Sequence, residues 1–205
     1  MEHKEHFNLM QFFEGYVRNY RRFNLSTVHN RSMITQREIS HFANLGEMLG
    51  FDSFIEDTKF DAARGRSRPM DLAWWKLDID QSEEEYAFLA LHLERENVRS
   101  KDMETIDKLF SETYANYVPH NVIGIQHIES VERMAFLNEE VASRNALQGS
   151  AALMMYWHYD RKANKNYVYG EFFGPYGERE SKQALCSADS FGYWSMNLVK
   201  VQPVG

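Results

Sequence analysis

Two stretches decide how this chain is read: Arg68-Pro69-Met70-Asp71-Leu72-Ala73-Trp74-Trp75, and, further along, Phe88-Leu89-Ala90-Leu91-His92-Leu93-Glu94-Arg95-Glu96. Each is an apolar run of strand length that carries carboxylates at one end. In extended backbone, successive side chains point to opposite faces, so Phe88, Ala90, His92, Glu94 and Glu96 share one face while Leu89, Leu91 and Leu93 share the other. Trp74 and Trp75 alternate in the same way, one belonging to the core and the other facing a helix. With the preceding run these segments predict three strands, Phe51 to Phe60, Met70 to Leu77 and Tyr86 to Glu96. Loops containing Gly65 and the acidic run Asp78 to Glu85 join them as an antiparallel meander.

Helices flank this meander. Upstream, Thr35-Gln36-Arg37-Glu38 has the order of a capping box, with Ile39, Phe42, Ala43, Gly46 and Leu49 as the inward stripe and Gly50 at the stop. Downstream, Ser100 caps a helix carrying Met103, Ile106, Leu109 and Phe110, and Val122-Ile123-Gly124-Ile125 reads as a buried strand. A strand, helix, strand unit favours parallel pairing. Further out, Leu9, Phe12, Phe13, Tyr16, Val17 and Tyr20 predict an amphipathic helix over 5–22. Ser130 opens a helix to about Asn145, and Ala152 to Tyr159 with Tyr167 to Phe173 form a closing hairpin. The tail from Pro175 is rich in Gly, Ser and aromatics and is assigned no element, with Phe191, Tyr193 and Trp194 packing back on the body.

The expected class is therefore α/β, one domain over 1–205. Its parts are an N-terminal helical extension (1–34), a core (35–128), and a helix, hairpin and aromatic tail (129–205) packing on that core. Composition agrees: 43% hydrophobic and 14% aromatic residues, with 4 prolines and 11 glycines in 205 residues, exclude a disordered or linker-dominated chain. A net charge of −7 argues against coating nucleic acid by bulk electrostatics, so local patches carry any such role. The lone Cys186 forms no intramolecular disulfide and is expected to be a partly buried structural thiol, and no Cys-x-x-Cys pair exists for zinc. Neither a signal sequence nor an apolar span is read, so a soluble, cytoplasmic protein with no membrane partner is expected.

The carboxylates hold the chemistry. If Asp71 lies beside the end of the Glu94-Arg95-Glu96 strand, three carboxylates converge at a sheet edge and repel one another unless a cation is present. Magnesium takes one or two carboxylates plus waters and phosphate oxygens, which suits phosphodiester hydrolysis. The bland alternative is that Glu94 and Glu96 merely end a strand in solvent while Asp71 pairs with Arg66 or Arg68. His92 reads as a hydrogen-bonded sheet residue. Arginines supply two candidate phosphate-binding clusters: Arg64, Arg66 and Arg68 before Asp71, and Arg18, Arg21, Arg22, Arg31 and Arg37.

On these residues the chain resembles the restriction-endonuclease-like, or PD-(D/E)xK, nuclease superfamily, whose core is a helix, a three-stranded meander, a helix and a strand. The resemblance spans Thr35 to Ile128 and rests on Asp71 before the tryptophans, the strand ending Glu94-Arg95-Glu96, and the helix with Asp107-Lys108-Leu109. It implies a restriction-endonuclease-like core and a Mg2+- or Mn2+-dependent nuclease acting on DNA or RNA. Asp71 and Glu94 would be metal ligands, and Glu47 or Glu38 an extra acidic one, although Glu38 is first read as the capping-box residue. Glu96 stands where the family's usual lysine orients or activates water, so Lys108 or Lys101 on the neighbouring helix would substitute. The implied catalytic set is Asp71, Glu94, Glu96 and Lys108, with Arg64, Arg66, Arg68 and Lys101 contacting nucleic acid. A catalytically inactive nuclease-fold protein that binds nucleic acid or protein is the alternative. From another class comes a homodimer built on the N-terminal helix and the C-terminal aromatic hairpin.

Overall fold

The apolar runs assemble into one mixed sheet of eight strands whose spatial order follows the chain. A computed structural model describes residues 4–57, 70–77, 86–110 and 117–200. The strands are β1 (Asp52–Asp57), β2 (Met70–Leu77), β3 (Tyr86–Glu96), β4 (Asn121–His127), β5 (Ala151–Asp160), β6 (Lys165–Phe173), β7 (Arg179–Ala188) and β8 (Trp194–Val199). The helices are α1 (Leu9–Asn19), α2 (Arg31–Met48), α3 (Asp102–Leu109) and α4 (Val131–Gln148). β1, β2 and β3 form the expected antiparallel meander, β3, β4 and β5 run parallel, and β5 to β8 return to antiparallel pairing. Parallel neighbours need crossovers, and α3 and α4 supply them.

Alternation along the central strands makes two cores. Leu91, Leu93, Ile123, Ile125, Leu153 and Met155 meet α1 and α2 on one face. Val122, Ala152, Met154 and Tyr156 meet Ile106 and Leu109 of α3 and Leu137 and Val141 of α4 on the other. Both tryptophans are fully buried: Trp74 under Phe7, Phe12 and Phe51, and Trp75 on the opposite face beside Tyr86 and Tyr117. Removing each such large apolar side chain from water contributes roughly 1.5–3 kcal/mol. A Cβ on Gly124 of β4 would lie 2.5 Å from the Met154 methyl and 3.0 Å from Leu109. Only a residue without a side chain lets α3 lie this close to the sheet.

Several local expectations are corrected. α2 starts one turn earlier than the capping box places it: the Asn30 side chain accepts the Met33 amide, so Thr35 and Glu38 lie inside the helix. Ser100 lies within a short 3-10 turn (Arg99–Lys101) and does not cap α3. The predicted helix over 5–22 is α1 followed by a 3-10 turn, Tyr20–Phe23, closed by Asn24 at φ +55°. Ser130 does cap α4, which ends at Gly149 with φ +66°.

The largest departure lies at the C-terminus. The stretch read as an aromatic tail without assigned elements contains β7 and β8, and both continue the sheet. Phe191 is exposed, whereas Trp194 packs against the core. Arg179-Glu180-Ser181-Lys182 opens β7 with a polar run exposed on both faces, so the period-2 signal is lost there. α1 lies across β5 to β8 and buries Leu9, Met10, Phe13, Tyr16 and Val17 within the chain, so this is not a free apolar face for a homodimer. No described helix is long and apolar enough to cross a membrane.

Candidate active site at the end of β3

The strand registers bring the expected carboxylates together. Leu72 pairs with Leu93, so Asp71 falls opposite Glu94, and Ile55 pairs with Leu72, so Glu56 falls opposite Asp71. Glu56, Asp71 and Glu94 thus form a row across three strands. The β1–β2 ladder lapses at Glu56, whose backbone takes φ +53°. A left-handed conformation is costly for a residue with a side chain, and such strain clusters at functional sites. From above, α3 contributes Glu104, Thr105 and Lys108, and with Glu96 and Arg95 these line a cleft of about 270 Å³.

Glu94 is the most constrained of the set. It is 3% exposed, with Oε1 2.8 Å from His92 Nε2 and Oε2 accepting from Lys108 Nζ at 2.5 Å. Burial alone would raise its pKa, but His92 and then Lys108 outweigh that and hold it below the ordinary carboxylate value. Asp71 accepts the Arg95 backbone amide at 2.6 Å through Oδ2. Burial first, and the Glu94 charge second, push its carboxyl up to about 6. That opposition between neighbours marks two carboxylates pressed into one site. Glu96 lines the cleft with its Oε1 bound to the Val98 amide at 2.7 Å.

Lys101 lies 3.9 Å from Glu104 and outside the residues lining the cleft. Glu47 is exposed on the last turn of α2 and does not line the cleft either. Arg64, Arg66 and Arg68 lie outside the described residues. Glu38 points to the other side of the sheet, where it is wholly buried and holds Arg95 Nε at 2.5 Å and the Tyr16 hydroxyl at 2.5 Å. Its carboxylate is committed to a structural ion pair, so it is neither cap nor ligand. Cys186 is buried and its thiol is pushed up to about 12 by burial, then by Glu38, which leaves an inert structural sulfur.

Two residues of this region, Glu56 lining the cleft and Gln126 beside Glu96 in the ladder, were not read from sequence. Glu56 is an exposed-looking acid in a short strand, and only strand register places it beside Asp71. Gln126, fully buried and paired in register with Glu96, has neither amide atom hydrogen-bonded among the described residues. Its position after an apolar strand gave no signal of that environment.

No family model and no curated protein matches the chain. Among solved structures, the chain is similar to the central domain of yeast acetyl-CoA carboxylase, at 10% identity and TM-score 0.42, over 79% of this chain and 26% of that one. A likeness so slight carries no functional argument.

Proposed function

We propose that the protein is a divalent-metal-dependent nuclease with a restriction-endonuclease-like core, hydrolysing phosphodiester bonds. The observation that carries this reading is the convergence of Asp71, Glu94, Glu96 and Lys108 on one cleft from β2, β3 and α3. The helix, meander, helix, strand order from α2 to β4 supports the same reading.

Among the described residues no group of three His, Cys, Asp or Glu side chains forms a ready-made metal cage. The donors nevertheless suit magnesium or manganese, which prefer one or two carboxylate oxygens and complete their shells with water and phosphate oxygens. Asp71 and Glu94 would hold the ion, with Glu56 and Glu96 at the margins. When bound, it would supply Lewis acidity and a more acidic water.

Lys108 provides what the glutamate at position 96 withholds. Its ammonium is at the cleft, partly exposed, and presents a positive charge where a phosphoryl group gains negative charge in the transition state. Held against Glu94, it also keeps that carboxylate ionised at neutral pH. His92 fixes the other Glu94 oxygen, so the orientation of the carboxylate is set before any ligand arrives.

The test is cleavage of plasmid and single-stranded oligonucleotides in magnesium and in manganese. Asp71→Ala and Glu94→Ala are each expected to reduce cleavage by roughly a thousandfold or more. Lys108→Met is expected to reduce it about a hundredfold while manganese still binds. A folded wild-type protein that neither cuts any substrate nor binds manganese would overturn the reading. It would favour instead a non-catalytic member of the fold, which the glutamate at position 96 also suits.

A further inference from the structure

Alternation at the end of β3 creates a second cleft. Glu94 and Glu96 face the acidic site; Arg95 and Asn97 face away from it, toward His127 of β4 and Trp157 of β5, which are paired in register. Here a cleft of about 600 Å³, walled by Arg31, Arg99, His127, Trp157 and Tyr159, adjoins a smaller pocket of about 230 Å³. Together they have the size of an ordinary small-molecule site.

The charge of this cleft is positive. Glu38 neutralises Arg95 beneath the floor, whereas Arg31 and Arg99 form no ion pair or side-chain hydrogen bond with any described residue. Glu129 is the one carboxylate among the lining residues of the larger cleft. Burial, then Arg95, Arg99 and Arg31, push His127 down to about 3, so its ring is neutral and adds no charge of its own. Trp157 lies 6.0 Å from the His127 ring, and its indole N–H is buried without an acceptor among the described residues. Two forked cations beside an aromatic wall match a phosphate joined to a planar base.

We propose that this cleft is a nucleotide-binding site, in which Arg31 and Arg99 hold the phosphate and the base lies against Trp157 and Tyr159. It stands independently of cleavage at the carboxylates. The same chemistry is offered by a free nucleotide and by a nucleotide within a nucleic-acid strand.

The experiment is calorimetric titration of the whole chain in chelator at pH 7.5 with adenosine monophosphate, adenosine, inorganic phosphate, and a short oligonucleotide with and without a 5′-phosphate. Adenosine monophosphate or the phosphorylated oligonucleotide is expected to bind at least tenfold more tightly than its unphosphorylated counterpart. Preference for the mononucleotide identifies a free nucleotide as the ligand; preference for the oligonucleotide identifies a strand. Arg31→Ala/Arg99→Ala, at two exposed positions, is expected to weaken binding at least tenfold. Trp157→Leu should weaken the nucleotide but not inorganic phosphate. Asp71→Ala should bind as the wild type does, which separates this site from the nuclease reading. Absence of binding for every probe, indifference to the phosphate, or unchanged affinity in the double arginine variant would overturn the proposal.

Discussion

Two clefts flank the end of β3, and they are electrostatic opposites. On the α3 side five carboxylates, Glu56, Asp71, Glu94, Glu96 and Glu104, gather around one ammonium; on the α2 side three arginines surround an imidazole, and of these only Arg95 has a carboxylate partner among the described residues. In each, burial and like charge drive a titratable group toward its neutral form: Asp71 is raised to about 6 and His127 lowered to about 3. A strand places these environments back to back because consecutive side chains point to opposite faces. The acidic side attracts a cation and the basic side an anion, an arrangement suited to a metal and a phosphate-bearing ligand.

The sharpest break in this comparison comes from the ion pair under the basic cleft. Glu38→Ala leaves the Arg95 guanidinium buried without its partner and is expected to destabilise the protein by about 3–5 kcal/mol in urea denaturation. Glu96→Ala, at the rim of the acidic cleft, should cost under about 1 kcal/mol. Equal losses would mean that the two sides are not built differently.

A smaller effect of the opposite sign is expected at Asp71. Its folded pKa lies above the unfolded value, so ionisation opposes folding above pH 6, and the penalty is relieved as pH falls from 6 toward 3.8. Asp71→Asn keeps an oxygen for the Arg95 amide and should therefore stabilise the metal-free protein by about 1–2 kcal/mol at pH 8. The gain should fade by pH 4. A loss of stability at pH 8 would show that the carboxylate is not under repulsion.

A pH slope tests the basic side. His127 titrates lower in the folded state than in the unfolded one, so protonation favours unfolding from pH 6.5 down to about 3. His127→Gln should flatten the decline of stability over that range by up to about 1 kcal/mol per pH unit. Identical slopes in thermal melts of the two proteins would place the imidazole in solvent.

Much of this was legible in one dimension. The apolar runs around Asp71 and Glu94 marked strands, the three-and-four spacing of Leu9, Phe13, Tyr16 and Val17 marked a helix, and alternation put Glu94 and Glu96 on one face. These signals are local, because strand and helix periods are properties of consecutive residues. Resemblance added Lys108 as a substitute for the missing lysine, and the structure brings its ammonium to Glu94. Less legible were β7, whose polar start blurs the alternation, the short β8 that follows it, and the start of α2, where Thr35 and Glu38 imitate a cap that Asn30 provides.

The sequence by itself determined the class of each central element and that Glu94 and Glu96 share a face, but not the irregularity in the β2–β3 ladder that puts Leu89 in a different core cluster from Leu91 and Leu93. Only the tertiary structure decided which faces meet. Strand register set Glu56 opposite Asp71 and Asp71 opposite Glu94, and the bare backbone at Gly124 let α3 approach until Lys108 reached the site. Across the sheet, Glu38 was drawn from its apparent capping role into a buried pair with Arg95, and residues as distant in sequence as Arg31, Arg99 and Trp157 came to wall one cleft. Such pairings depend on residues far apart in the chain, and no period within a single segment encodes them.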